Sequence, residues 1–95
     1  MAGWKTERSY GGKSAGEIYQ ATKKVIENLS GKYGLKHQPD DAALSGTVSQ
    51  LGVNGTYRAS GDKMTIELSY GFLVPGGLRS KVQDEVNRQL DGLFA

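Results

Sequence analysis

Apolar and polar residues alternate from Lys63 onward. Met64, Ile66, Leu68, Tyr70, Phe72 and Val74 interleave with Thr65, Glu67 and Ser69, the pattern of a strand with one buried face. The run enters Pro75-Gly76-Gly77. A segment follows in which Leu78, Val82, Val86, Leu90 and Leu93 recur at helical spacing. The helical period is clearer still near the start of the chain. Ile18, Tyr19, Thr22, Val25, Ile26, Leu29 and Tyr33 fall within an arc of about 120° at 100° per residue, with Lys23, Lys24 and Glu27 opposite. Ser14 and Glu17 form a capping box that predicts the start of this helix. Gly34 is its predicted left-handed cap, with Leu35 as the apolar residue just beyond.

The remaining segments read as strands. Trp4 to Tyr10 has Trp4 and Tyr10 in phase and ends at Gly11-Gly12. Leu35 to Gln38 is a candidate short strand before a Pro39-Asp40-Asp41 turn. Two further strands span about Leu44 to Gln50 and Val53 to Ala59. Parity sets their registers. A turn at Gly61-Asp62 pairs Ala59 with Met64, Tyr57 with Ile66, Gly55 with Leu68 and Val53 with Tyr70, all of matching polarity. A turn at Leu51-Gly52 pairs Gly46 with Tyr57 and Val48 with Gly55, small against large. The competing turn, Asn54-Gly55, is a stronger local signal, but it sets Leu51 against Arg58. The opposite strand face carries Ser45, Thr47, Ser49, Asn54, Thr56, Arg58, Thr65, Glu67 and Ser69, so both helices belong on the other side. The expectation is a single α+β domain over residues 1–95. It has an antiparallel sheet of four to five strands, two helices packed on one face, and the order β-α-β-β-β-α.

Composition adds limits. The 95 residues suffice for one domain. There is no cysteine, hence no disulfide and no thiolate metal site. No apolar run approaches a membrane span, and the N-terminus lacks a signal-peptide block, so a cytoplasmic protein is expected. Net charge is +2, split into +4 over residues 1–38 and −2 over residues 39–95. That excess falls short of a nucleic-acid binder's.

No set of residues amounts to a catalytic, cofactor or metal site. His37 is the only histidine and reads as a surface residue without metal-ligand partners. Asp40-Asp41 and Asp84-Glu85 diverge where a hydrolytic pair must converge. The latter two read as helix-surface pairs with Arg88 and Lys81 respectively. Arg58 and Glu67 lie diagonally across a hairpin and read as a cross-strand ion pair. Lys13, Lys23, Lys24, Lys32 and Lys36 gather around the first helix, but Glu17 and Glu27 interrupt them and the tyrosines are assigned to the core side. Two features remain as candidate sites. Gly76, Gly77, Arg79 and Lys81, at a helix start, are a candidate weak anion site without the spacing of a phosphate-binding loop. Leu51, Leu73 and Phe94 are a candidate apolar contact patch. Leu73 breaks phase with its strand, Leu51 sits at a turn and Phe94 near a fraying end.

Three elements together resemble a known family. They are the Ser14–Tyr33 helix ending in Lys32-Tyr33-Gly34-Leu35, the glycine-rich Gly52-Val53-Asn54-Gly55-Thr56, and Leu68-Ser69-Tyr70-Gly71-Phe72-Leu73-Val74-Pro75 followed by a helix containing Asn87-Arg88-Gln89-Leu90-Asp91-Gly92-Leu93. In order and spacing the chain resembles the small bacterial proteins of the polyhydroxyalkanoic acid system. It departs from them at Gly76-Gly77, where a basic or bulky residue is usual, and at Ser9-Tyr10, where a histidine is common. The resemblance implies a non-catalytic accessory role at polyhydroxyalkanoate storage granules, without a cofactor, through surface contact with granule-associated proteins or the polymer. It supplies no catalytic residues. The alternatives are a small nucleic-acid-binding module using the first helix's lysines and a small-ligand-binding domain.

Overall fold

The computed structural model describes residues 2–50, 52–71 and 74–94. Five strands and two helices follow in the order β1 (Ala2–Ser9), α1 (Ala15–Tyr33), β2 (Lys36–Asp40), β3 (Ser45–Gln50), β4 (Val53–Ser60), β5 (Lys63–Tyr70) and α2 (Gly76–Asp91). The sheet is antiparallel throughout, in the spatial order β1-β5-β4-β3-β2. The expected α+β class, element order and one-sided helix layer are all present, with the candidate short strand after the first helix realised as β2.

The registers deduced from polarity hold. Ala59 faces Met64, Tyr57 faces Ile66, Gly55 faces Leu68 and Val53 faces Tyr70. Gly46 faces Tyr57, and Val48 faces Gly55. At both glycines a neighbour occupies the space of a side chain. A Cβ on Gly55 would meet Leu68 Cδ2 at 2.8 Å and Val48 Cγ2 at 3.0 Å, and one on Gly46 would land on the Tyr57 ring. The hairpin turns at Gly52, not at Asn54-Gly55. Packing of those small–large pairs outweighs the local turn preference of Asn-Gly.

Helix α1 begins as expected. The Ser14 hydroxyl accepts the Glu17 N–H at 3.2 Å, and Glu17 Oε1 accepts the Ser14 N–H at 3.2 Å. The hydrogen bond from the Ser14 backbone N–H foremost, and the Ser14 side chain second, hold the Glu17 carboxyl below its ordinary range. Gly34 closes the helix with φ 71°, its N–H donating to Ser30 O at 2.8 Å. The core gathers Ile18 and Tyr19 of α1, Tyr57 and Ala59 of β4, Met64, Ile66, Leu68 and Tyr70 of β5, Val74, and Leu90 of α2. Helix α1 packs on β2, β4 and β5. Helix α2 lies toward β1 and β5. Tyr10 donates its hydroxyl to Leu90 O at 2.7 Å, Arg8 pairs with Asp91 and donates to Asn87 Oδ1 at 3.2 Å, and Gln83 donates to the Tyr70 hydroxyl at 3.3 Å.

Several expectations change. Strand β1 runs Ala2–Ser9, one residue short of Tyr10, whose N–H still bonds Asp62 O at 2.7 Å. Pro39 and Asp40 belong to β2, and the turn follows at 41–44. Proline is admissible there because β2 is an edge strand. Strand β5 ends at Tyr70, so the alternation through Val74 continues beyond the ladder, and Phe72 lies outside the described residues. Tyr33 and Leu78, in phase with the core stripes, are 49% and 44% exposed. Each lies in a terminal turn of its helix. Arg88 pairs with Glu85, three residues away, in place of Asp84.

Candidate functional site

The densest polar chemistry lies between α1 and the β2–β4 end of the sheet. His37 sits in β2 opposite Val48, which faces Gly55, so it points to the helix-covered side. It is half-buried, with Nε2 2.6 Å from the Tyr57 hydroxyl. The Tyr57 ring stacks on Tyr19 with centroids 6.1 Å apart. Tyr19 donates its hydroxyl to Asp41, which also receives Lys23 Nζ at 3.0 Å. The surface histidine expected from sequence is therefore a partly buried one. Its inward parity in β2 was the signal, legible only once β2 was known to pair with β3.

Burial sets the protonation states. It pushes Tyr57 up to about 12, with the Glu27 and Asp41 charges adding to it. Burial also pushes Tyr19 well above its ordinary value, helped by the hydrogen bond to Asp41. His37 is lowered, by burial first, with Glu27 opposing and Lys23 adding. Asp41 is held below its ordinary range by Tyr19 first and Lys23 second. Both tyrosines and the histidine are thus neutral at pH 7. The cluster fastens the β2 edge and the 41–44 turn beneath α1. Asp41 faces Tyr19 and Lys23, not His37, and no residue here combines a nucleophile with a base.

At the start of α2, Pro75 is the N-cap without a side-chain cap bond. Pro75 O accepts the N–H groups of Leu78 and Arg79, each at 3.1 Å. Gly76, Gly77 and Lys81 are exposed, whereas Arg79 is half-buried with its guanidinium 5.5 Å from the Tyr70 ring centroid. Arg79 Nε has no hydrogen-bond partner among the described residues. Two positions apart on a helix, Arg79 and Lys81 point to different sides.

Of the apolar trio, Leu51 and Leu73 lie outside the described residues. Phe94 is 39% exposed, edge-on to Tyr10 at 5.3 Å and beneath Lys13 Nζ at 4.7 Å. That is the β4–β5 turn end of the sheet, opposite the end where Gly71 N–H bonds Gly52 O at 2.7 Å. Tyr33 and Leu78 lie toward the Gly52 end. Gln50 donates to Tyr33 O at 2.8 Å, and Leu78 follows Val74, whose N–H bonds Gly71 O. On the helix-free face a groove is lined by Ser45, Thr47, Thr56, Arg58, Thr65 and Glu67. Among the described residues Arg58 and Glu67 form no ion pair, and no three histidine, aspartate or glutamate side chains cluster as metal ligands.

Against known proteins, one family model matches residues 12–94, nearly the whole chain. Its description is "Putative polyhydroxyalkanoic acid system protein". The chain belongs to this family. The match spans α1, every strand after β1, and α2, the elements that carried the resemblance in the sequence. No curated protein matches the chain. Among solved structures, a TBP-like protein from Parabacteroides distasonis superposes with a TM-score of 0.63 at 15% identity. The likeness covers 70% of this chain and 53% of that one, so it spans about half the length of the matched structure and shows the shared fold. Membership in the polyhydroxyalkanoic acid system family agrees with an accessory role. No helix among the described residues is long and apolar enough to cross a membrane.

Proposed function

We propose that this polyhydroxyalkanoic acid system protein is a non-catalytic, cytoplasmic accessory factor of polyhydroxyalkanoate granules. It acts by surface contact with granule-associated protein or polymer. The observation that carries this reading is the family match over residues 12–94. The acting surface is the Gly52 end of the domain, where Tyr33 and Leu78 expose apolar area. The out-of-phase Leu73 extends the same reading from the sequence pattern alone. Nucleic-acid binding by α1 is the less supported function. Lys13 lies over Phe94, Lys23 on Asp41 and Lys32 over Tyr33, so these lysines do not form a free stripe.

The test is co-sedimentation with isolated granules, with circular dichroism as the folding control. Leu78→Lys should leave the fold intact, since exposed substitutions shift stability by about 0.5 kcal/mol or less. It should weaken association, because an ammonium group resists desolvation in an apolar contact. Replacing Arg58 and Glu67 with Gln should leave association unchanged. Wild-type protein that stays in the supernatant would overturn the granule reading. Association lost in the Arg58/Glu67 variant but kept in Leu78→Lys would move the contact to the helix-free face.

A further inference from the structure

The two edges of the sheet are built differently. Edge strand β2 has five residues and includes Pro39, features that discourage pairing with another chain. Edge strand β1 has eight residues and no proline, and among the described residues nothing pairs with its outer side. Backbone bonds settle which of its groups face outward. Tyr10 N–H, one residue past β1, bonds Asp62 O of the β4–β5 turn, in the register that pairs Ser9 with Lys63. In an antiparallel ladder successive residues direct their N–H and C=O to opposite sides. Ala2, Trp4, Thr6 and Arg8 therefore bond to β5, while Gly3, Lys5, Glu7 and Ser9 present free N–H and C=O groups along the open edge. The neighbouring ladder agrees. Gly71 N–H bonds Gly52 O, so odd-numbered residues of β5 turn to β4 and even-numbered ones turn to β1.

We propose that this edge pairs with the same edge of a second copy, joining two five-stranded sheets into one about a twofold axis. The side chains select the register. Only odd-numbered residues can exchange hydrogen bonds across such an edge, which leaves three well-overlapped antiparallel alignments. One sets Lys5 against the partner's Lys5, and another sets Glu7 against the partner's Glu7. The third centres Thr6 on the axis and sets Lys5 against the partner's Glu7, twice by symmetry, with Gly3 against the partner's Ser9. Opposite charges directly across a strand pair stabilise it and like charges destabilise it, so the third alignment is selected. Lys5 and Glu7 are both exposed on the helix-free face, and among the described residues their one ion pair is the 3.9 Å contact with each other. The same alignment sets half-buried Trp4 across from the partner's Arg8, whose guanidinium Asp91 and Asn87 hold. A lone edge lysine would repel a second copy. A glutamate two residues further on the same face makes the edge self-complementary, as an isologous interface requires. This pairing is independent of the granule reading.

The charge pattern supplies the test. Sedimentation of the full chain up to about 1 mM should find twice the 10.2 kDa chain mass. Lys5→Glu alone and Glu7→Lys alone each place two like-charge pairs at the interface and should weaken dimerisation about tenfold. The combined Lys5→Glu/Glu7→Lys chain restores opposite charges and should dimerise like wild type. Amide exchange on wild type gives a readout free of mutation. In the dimer Lys5 and Glu7 amides should be protected as well as those of Trp4 and Thr6, whereas a monomer protects only the even-numbered set. A wild type monomeric throughout this range overturns the proposal. So does a dimer indifferent to the single reversals, or one whose Lys5 and Glu7 amides exchange freely.

Discussion

Replacing Gly46 with Ala tests whether the small–large pairing across β3 and β4 holds the core together. Gly46 is buried and its φ is not positive, so the backbone itself accepts alanine. The obstacle is Tyr57. The added Cβ would occupy the space of its ring carbons and hydroxyl. Tyr57 is only 2% exposed, stacks on Tyr19 and is hydrogen-bonded to His37, so its ring cannot swing aside without opening the core. Overpacking at a fixed neighbour costs about 3 kcal/mol at the upper end of its range. Losing the His37–Tyr57 bond adds about 1 kcal/mol. The reduced entropy of the unfolded alanine chain offsets about 0.4–1 kcal/mol. The net is a loss of about 3 kcal/mol, or a fall in Tm of about 12–24 °C for a domain of this size. Thermal and urea unfolding followed by circular dichroism would measure it. A double-mutant cycle with Tyr57→Leu isolates the cause, because leucine vacates the ring's space and Gly46→Ala should then cost far less. A silent Gly46→Ala, or additive effects in the cycle, would refute the steric argument.

Ser14→Ala removes the hydroxyl that accepts the Glu17 N–H, and should lower stability by about 0.5–2 kcal/mol in urea melts. The His37 pKa lies lower in the folded protein than in the unfolded chain, because burial disfavours the imidazolium. Its contribution is therefore fully present above the unfolded value of 6.5 and is lost as pH falls through the lower folded value. Urea midpoints should decline below about pH 6.5 in wild type. His37→Gln, which does not titrate, should show a shallower decline over the same interval, and equal slopes would exclude His37 as the source.

Much of the architecture follows from patterns local to the chain. The capping box at Ser14, the left-handed glycine at 34 and the two hairpin registers rest on residues a few positions apart, or on parity carried from one strand to the next. Once Gly55 is set against Leu68 and Val48, a one-residue slip would turn every apolar side chain of β4 to the polar face. Such information lies in the order of residues and needs no knowledge of distant segments. The tertiary structure alone decided where β1 docks, and with it the Arg8–Asp91 contact across 83 positions and the open Lys5–Glu7 edge. It also decided that His37 meets Tyr57, that Asp41 ties Tyr19 to a turn, and that Tyr33 and Leu78 are exposed instead of filling the core. Helical periodicity reports the direction a side chain points about its own axis. It does not report whether another element covers that side, and at those two residues that difference separates a core position from an exposed one.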